Sequence, residues 1–273
     1  MLNTEKRNPK TMHLDQMDPL QIVQAMNEEN ANAVKSLEPV YPQIATAIDT
    51  IAKAFSKGGR LFYMGAGTSG RLCVADAAEC PPTFGVSRDQ VIGICAGGIK
   101  TLIHASENIE DDPDEGIQEL KDRNLNSNDV VVGISASGGA AYVCNAITYA
   151  KELGCETIAV TCNPGSRLGT LAKIDISPDT GAEVLTGSTR LKAGNAQKMI
   201  LNMLSTGAMV RSGHVYENLM INLKPTNIKL RARVVRIVRE ITDYDEEKAI
   251  SLLEQSNWII KDAIKLWKKE DMQ

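Results

Sequence analysis

The chain has 273 residues, 43% of them hydrophobic, and a formal net charge of −4. That charge gives no general attraction to nucleic acid, and no apolar run approaches the roughly 18 residues needed to span a bilayer. The length allows one large core, or a core with a small satellite domain. Met1 to Arg7 lack an apolar signal core. None of the six cysteines forms a Cys-x-x-Cys pair, and several sit in apolar runs as expected of buried free thiols. With three scattered histidines, no zinc site is expected, and a reducing, cytoplasmic setting fits best.

Residues 1–17 are polar and read as extended or partly ordered. From Pro19 to Ser56 apolar residues recur at helical spacing (Ile22, Ala25, Met26, then Ile44, Ile48, Ile51, Phe55), which predicts two or three helices. An alternation follows. Strands are expected at 61–64, 91–95, 130–134, 157–161 and 174–177, and helices at 69–79, 99–111, 139–153 and 195–212. Strand–helix repetition of this kind builds an α/β fold: a doubly wound, five-stranded parallel sheet of the flavodoxin-like type. After Asn222 the pattern becomes helical and charged, with turn residues at Asp243-Tyr244-Asp245. The expected division is a sheet domain with its N-terminal helices over 1–225 and a small helical domain over 226–273. The latter looks like the ubiquitin-associated type, though many short bundles do, and a structural cap is the plainer reading.

The most informative stretch is Gly65-Ala66-Gly67-Thr68-Ser69-Gly70-Arg71, directly after the apolar run Leu61-Phe62-Tyr63-Met64. The glycines allow a tight turn into a helix whose first amides converge on one spot, where the dipole favours negative charge. With the hydroxyls of Thr68 and Ser69, Gly67 and Gly70 complete an expected phosphate cradle. Gly65, Gly67 and Gly70 also match the dinucleotide fingerprint G-x-G-x-x-G. That reading needs an acidic residue at the tip of the next strand for the ribose. Here Val91 to Cys95 run instead into Ala96-Gly97-Gly98, so it is disfavoured.

The third strand repeats the design with Ser135-Ala136-Ser137-Gly138-Gly139. A third hydroxyl loop is Gly187-Ser188-Thr189-Arg190-Leu191-Lys192. Its hydroxyls suit a helix cap, while Arg190 and Lys192 either face an anion or are ordinary surface charges. Each loop alone is an ordinary turn. Ligands of doubly wound sheets, however, sit outside the carboxyl ends of the strands, so the three together point to a sugar-phosphate pocket. Its expected contacts are Gly67, Thr68, Ser69, Gly70, Ser135, Ser137, Gly138, Ser188 and Lys192.

These loops resemble the sugar isomerase (SIS) domain. More narrowly, the chain is similar to the N-acetylmuramic acid 6-phosphate etherases. The resemblance runs through Thr4-Glu5-Lys6-Arg7-Asn8, Gly65 to Gly85 with Glu79-Cys80-Pro81-Pro82-Thr83, Glu107 to Asp111, Thr161-Cys162-Asn163-Pro164, Glu183 to Lys198 and Asn202 to Gly207. It implies a lyase that turns N-acetylmuramic acid 6-phosphate into N-acetylglucosamine 6-phosphate and D-lactate, without metal or organic cofactor, as a homodimer. It implies Glu79 and Glu110 as the acid–base pair.

The sequence adds some support. Glu79 is expected at the end of a helix stopped by Pro81-Pro82, where the dipole and partial burial would raise its pKa, as suits a general acid. Glu110 stands among Glu107, Asp111 and Asp112; such a cluster raises a carboxyl pKa, but by sequence alone it is more often a solvated acidic face, and only the resemblance makes Glu110 the partner base. Ser69 and Glu79 are ten residues apart, about 15 Å along a straight helix. Glu79 is therefore expected to reach the partner subunit's site. Where the family usually carries Arg-Thr-Pro after Ser137-Gly138, this chain has Gly139-Ala140-Ala141. Ser135 stands where alanine is common, and Asn195 where threonine is usual. A sugar-phosphate isomerase and a non-catalytic phosphosugar sensor are the competing functions.

Overall fold

A computed structural model of the chain describes residues 1–104, 108–222, 225 and 228–270. The N-terminal segment is not extended. It makes short 3-10 turns at Asn3–Glu5, Pro9–Thr11 and Leu14–Gln16. Helix α1 (Pro19–Ser36) starts at a capping box in which Asp18 accepts from the Gln21 amide and Gln21 reaches back, with Pro19 at the first helical position. Helix α2 (Tyr41–Ser56) buries Ile44, Ala47 and Ile51 and packs on the strands Val130–Ile134 and Ile174–Ile176.

The series runs β1 (Leu61–Gly65), α3 (Gly67–Phe84), β2 (Val91–Cys95), α4 (Ile99–Ile103), α5 (Glu115–Asp122), β3 (Val130–Ile134), α6 (Ala141–Glu152), β4 (Glu156–Val160), α7 (Arg167–Leu171), β5 (Ile174–Ile176) and α8 (Lys192–Arg211). All five strands are parallel, in the order β2-β1-β3-β4-β5. The strand order reverses between β1 and β3. Their register sets Gly65 beside Ile134, so the two hydroxyl loops leave the sheet side by side at its carboxyl edge. One face is a single core in which Phe62, Met64 and Val131 meet Tyr142, Val143 and Ile147 of α6. Leu61, Tyr63 and Val132, alternating with these, are equally buried, as a sheet covered on both faces requires.

Four helices depart from expectation. Helix α3 does not stop at Pro81-Pro82 but runs on to Phe84. The two prolines forfeit only their own amide bonds, and the last turn closes through the Gly85 amide on the Pro81 carbonyl, with Gly85 in the left-handed conformation. The helix expected over 99–111 ends at Ile103. Its middle lies outside the described residues, and a 3-10 turn at Ile109–Asp111 follows. Helices α5 and α7 were not expected; α7 is capped by Ser166, whose Oγ accepts from the Gly169 amide.

The chain divides into two compact units: 1–78 with 89–208, and 79–88 with 209–273. The sequence-drawn division at 225/226 differs: the second unit begins at 209 and also takes in the end of α3. There a side chain at Gly85 would meet the Asn222 carbonyl oxygen at 2.1 Å, and His214 Nδ1 lies 3.2 Å from the Phe84 carbonyl oxygen. This unit holds a short hairpin, β6 (Val215–Tyr216) and β7 (Leu219–Met220), and the helices α9 (Ile228–Thr242), α10 (Glu246–Gln255) and α11 (Ile260–Glu270). Val234, Val238, Leu252, Leu253, Ile260 and Ala263 form its core.

Candidate active site

A cavity of about 300 Å³ opens at the carboxyl edge of the sheet, wholly within the first unit. Gly67, Thr68 and Ser69 of the first loop line it, as do Ser135, Ala136 and Ser137 of the second and Gly187 and Thr189 of the third. Glu110 and Glu5 supply its two carboxylates. No lysine or arginine is among the described lining residues. A bound anion would therefore rest on hydroxyls and on the first-turn amides of α3, which have no partner inside the helix.

The glycines that shape the site act differently. Gly70 does not line the cavity. A side chain there would lie 2.4 Å from the Gly65 carbonyl oxygen and 2.6 Å from Cys95 Sγ, so its role is to let α3 lie against β1 and β2. Gly138 is also outside the lining. It has φ +71°, and a side chain would strike Ser166 at 2.4 Å. Its amide donates to Ser135 Oγ at 3.1 Å, and Ser137 Oγ accepts from the Gly139 amide at 3.2 Å. These bonds pre-set the second loop. Ser69 is buried, and its hydroxyl donates to Gln197 Oε1 at 2.9 Å, so α8 fixes its direction.

The third loop differs most from expectation. Ser188 and Lys192 are not in the cavity wall; Gly187 and Thr189 are. The N-terminus of α8 is capped by neither hydroxyl. The fully buried Glu183 takes it, accepting from the Lys192 and Ala193 amides at 2.9 Å each. Burial pushes the Glu183 carboxyl up, partly offset by those amides. The Lys192 ammonium is buried in an ion pair with Glu29 of α1 rather than facing an anion. The sequence could not show this, because the two residues stand 163 positions apart.

Of the two glutamates singled out, Glu110 lies at the cavity rim on the Ile109–Asp111 turn. Although the residue is exposed, burial of its carboxyl is the main cause that raises its pKa, and the Asp111 charge adds to it. Asp112 does not contribute to that rise. Its carboxylate caps the turn by accepting from the Asp114 and Glu115 amides, which holds its own pKa low. Glu107 lies outside the described residues. Glu79 is exposed, in the second unit, and is not part of the cavity wall. With α3 running to Phe84 it stands more than a turn inside the helix, instead of part-buried at its terminus.

The strand order and the hydroxyl loops that line a cavity at the sheet's carboxyl edge define an α/β protein of the SIS class. Residues 102–207 match the SIS domain, and residues 43–151 match the glucokinase regulatory protein N-terminal SIS domain. Phosphoheptose isomerases from Francisella tularensis (TM-score 0.53, 17% identity, 70% of this chain and 98% of that one) and Neisseria gonorrhoeae (TM-score 0.52, 18% identity, 72% and 100%) share the fold. The chain belongs to the N-acetylmuramic acid 6-phosphate etherase family. It is 51% identical to the etherase of Pasteurella multocida over 263 residues, 96% of this chain and 87% of that protein. It is 49% identical to that of Cronobacter sakazakii, with 96% and 89% covered.

Proposed function

We infer that the chain is a carbon–oxygen lyase that cleaves the D-lactyl ether of N-acetylmuramic acid 6-phosphate. The products are N-acetylglucosamine 6-phosphate and D-lactate, in the catabolism or recycling of cell-wall amino sugar. The observation that carries this is half-identity to etherases over nearly the whole chain, joined to a cavity in which an acidic side chain faces an anion cradle. With the sugar ring open, the aldehyde acidifies the proton on carbon 2. A base takes that proton, the bond from carbon 3 to the lactyl oxygen breaks, and an acid protonates the leaving oxygen. Water then adds at carbon 3 and a proton returns to carbon 2. Two carboxyls in opposite protonation states perform this sequence.

Glu110 is the proposed base, since it shares the cavity with Gly67, Thr68, Ser69, Ser135 and Ser137. Glu79 is the proposed acid. Ten helical residues, about 15 Å, separate it from Ser69, roughly twice the span between a phosphosugar's phosphate and its carbon 3. Its service is therefore assigned to the partner subunit's site in a homodimer. Purified protein given N-acetylmuramic acid 6-phosphate should release D-lactate, and Glu79→Gln should abolish the release. Binding without release in the wild type would instead identify a phosphosugar sensor. Subunits carrying Glu79→Gln and Glu110→Gln, each inactive alone, should on mixing regain about a quarter of wild-type activity, because half of the dimers then hold one intact shared site. No recovery would mean that the site is not shared. All six cysteines are free and buried, which suits the proposed cytoplasmic setting.

A further inference from the structure

The cavity holds a second carboxylate that the chemistry above does not use, and its placement is built rather than incidental. Glu5 lines the cavity beside Gly187, where a side chain would come within 3.9 Å of Glu5 Oε2. The segment that carries it is held on both sides. Thr4, fully buried, donates its amide to Asn163 Oδ1 (3.4 Å), and its Oγ1 accepts from Asn163 Nδ2 (3.0 Å). The same Nδ2 donates to the Ala136 carbonyl, inside the second hydroxyl loop, at 2.9 Å. Further on, Asn8 donates to the Ala182 carbonyl at 3.5 Å and Thr11 to the Val184 carbonyl at 2.8 Å. Glu5 is thus fixed to the loop that faces the ligand, while its own side chain stays exposed to the cavity.

We propose that Glu5 is a positioning residue that binds the uncharged, donor-bearing edge of the phosphosugar: a ring or chain hydroxyl, or the acetamido N–H. This rests on the phosphosugar reading of the cavity. An ionised carboxylate only accepts hydrogen bonds. The phosphate and the lactyl carboxylate of the substrate offer no donor and carry like charge, so Glu5 repels both. The sugar hydroxyls and the amide offer donors. With the phosphate on the α3 amides, Glu5 therefore favours the one orientation that turns the lactyl group away from the N-terminal segment. A hydrogen bond to a charged group is worth roughly ten- to a hundredfold in affinity.

The test measures binding of N-acetylglucosamine 6-phosphate and of inorganic phosphate by calorimetry, with D-lactate release in parallel. Glu5→Ala should weaken N-acetylglucosamine 6-phosphate roughly ten- to a hundredfold and raise KM more than it lowers kcat, while inorganic phosphate binds as well or better. Glu5→Gln, whose amide oxygen still accepts, should recover part of the loss. The adjacent, exposed Lys6→Ala should match the wild type. Equal weakening of both ligands in Glu5→Ala would show a collapsed loop and overturn the proposal, as would unchanged affinity for both. Wild-type protein that binds the phosphosugar but releases no lactate would remove the etherase reading, while the binding comparison still decides the role of Glu5.

Discussion

Glu110→Gln is expected to lower kcat for D-lactate release by roughly 10²–10⁴-fold, the usual worth of a positioned base. Binding of N-acetylglucosamine 6-phosphate should change far less, because the cradle amides and hydroxyls remain. The pH dependence identifies the group further. Burial and then the Asp111 charge raise the Glu110 carboxyl above the usual glutamate value. A base works only when ionised, so kcat/KM should fall on acidification with a limb above that value. Asp111→Asn removes the neighbouring negative charge and should shift the limb to lower pH while leaving the maximal rate nearly intact. A limb that ignores Asp111, or full activity in Glu110→Gln, would assign proton removal elsewhere.

The second large effect is on stability. Lys192→Met should cost about 3–5 kcal/mol, read as a fall in the denaturation midpoint, since it strips the cation from a buried pair. The side chains of Lys192 and Glu29 are only 5% and 6% exposed. Burial acts to raise the Glu29 carboxyl, but the Lys192 ammonium and the Asn8 and Asn32 amides outweigh it and hold the pKa below its ordinary value. A carboxyl held low contributes stability above its unfolded-state pKa and loses it as the pH falls through the folded-state value. Without the Lys192 ammonium, Glu29 is left buried with only the Asn8 and Asn32 amides, and Glu183, still held by two backbone amides, loses a nearby positive charge, so both favour protonation. The deficit of Lys192→Met should therefore narrow as the pH drops from neutral toward about 5. Adding Glu29→Leu should recover part of the loss, because removing both charges leaves neither ion stranded. An unchanged midpoint in Lys192→Met would mean that the pair contributes nothing.

The parts of the fold that could be read directly are those set by local pattern. The five sheet strands fall within a residue of their expected positions, because a parallel strand covered on both faces is an unbroken apolar run with turn residues at its ends. The loop that opens α3 was legible for the same reason: Gly67, Thr68 and Ser69 follow such a run and begin a helix. The second loop was readable as a repeat of that design. What misled was a local signal overruled by packing. Two prolines read as a stop, yet the helix closes one more turn, where Gly85 is packed on Asn222. Lys192 read as an anion ligand because its loop is polar, but α1 brings Glu29 to it.

The sequence by itself determined the alternation of strands and helices, the hydroxyl loops that end the first and third strands and, through resemblance, the family and its reaction. These depend on spacing, turn chemistry and residue type over a few neighbouring positions. Only the tertiary structure decided which groups share the cavity. It drew in Glu5 through Thr4 and Asn163, residues 159 positions apart, and seated Glu110 beside the cradle. It withdrew Lys192 into a buried pair and gave the α8 N-terminus to Glu183. The physical reason is that a charge's role is set by what is brought against it once water is removed, and those partners come from distant segments.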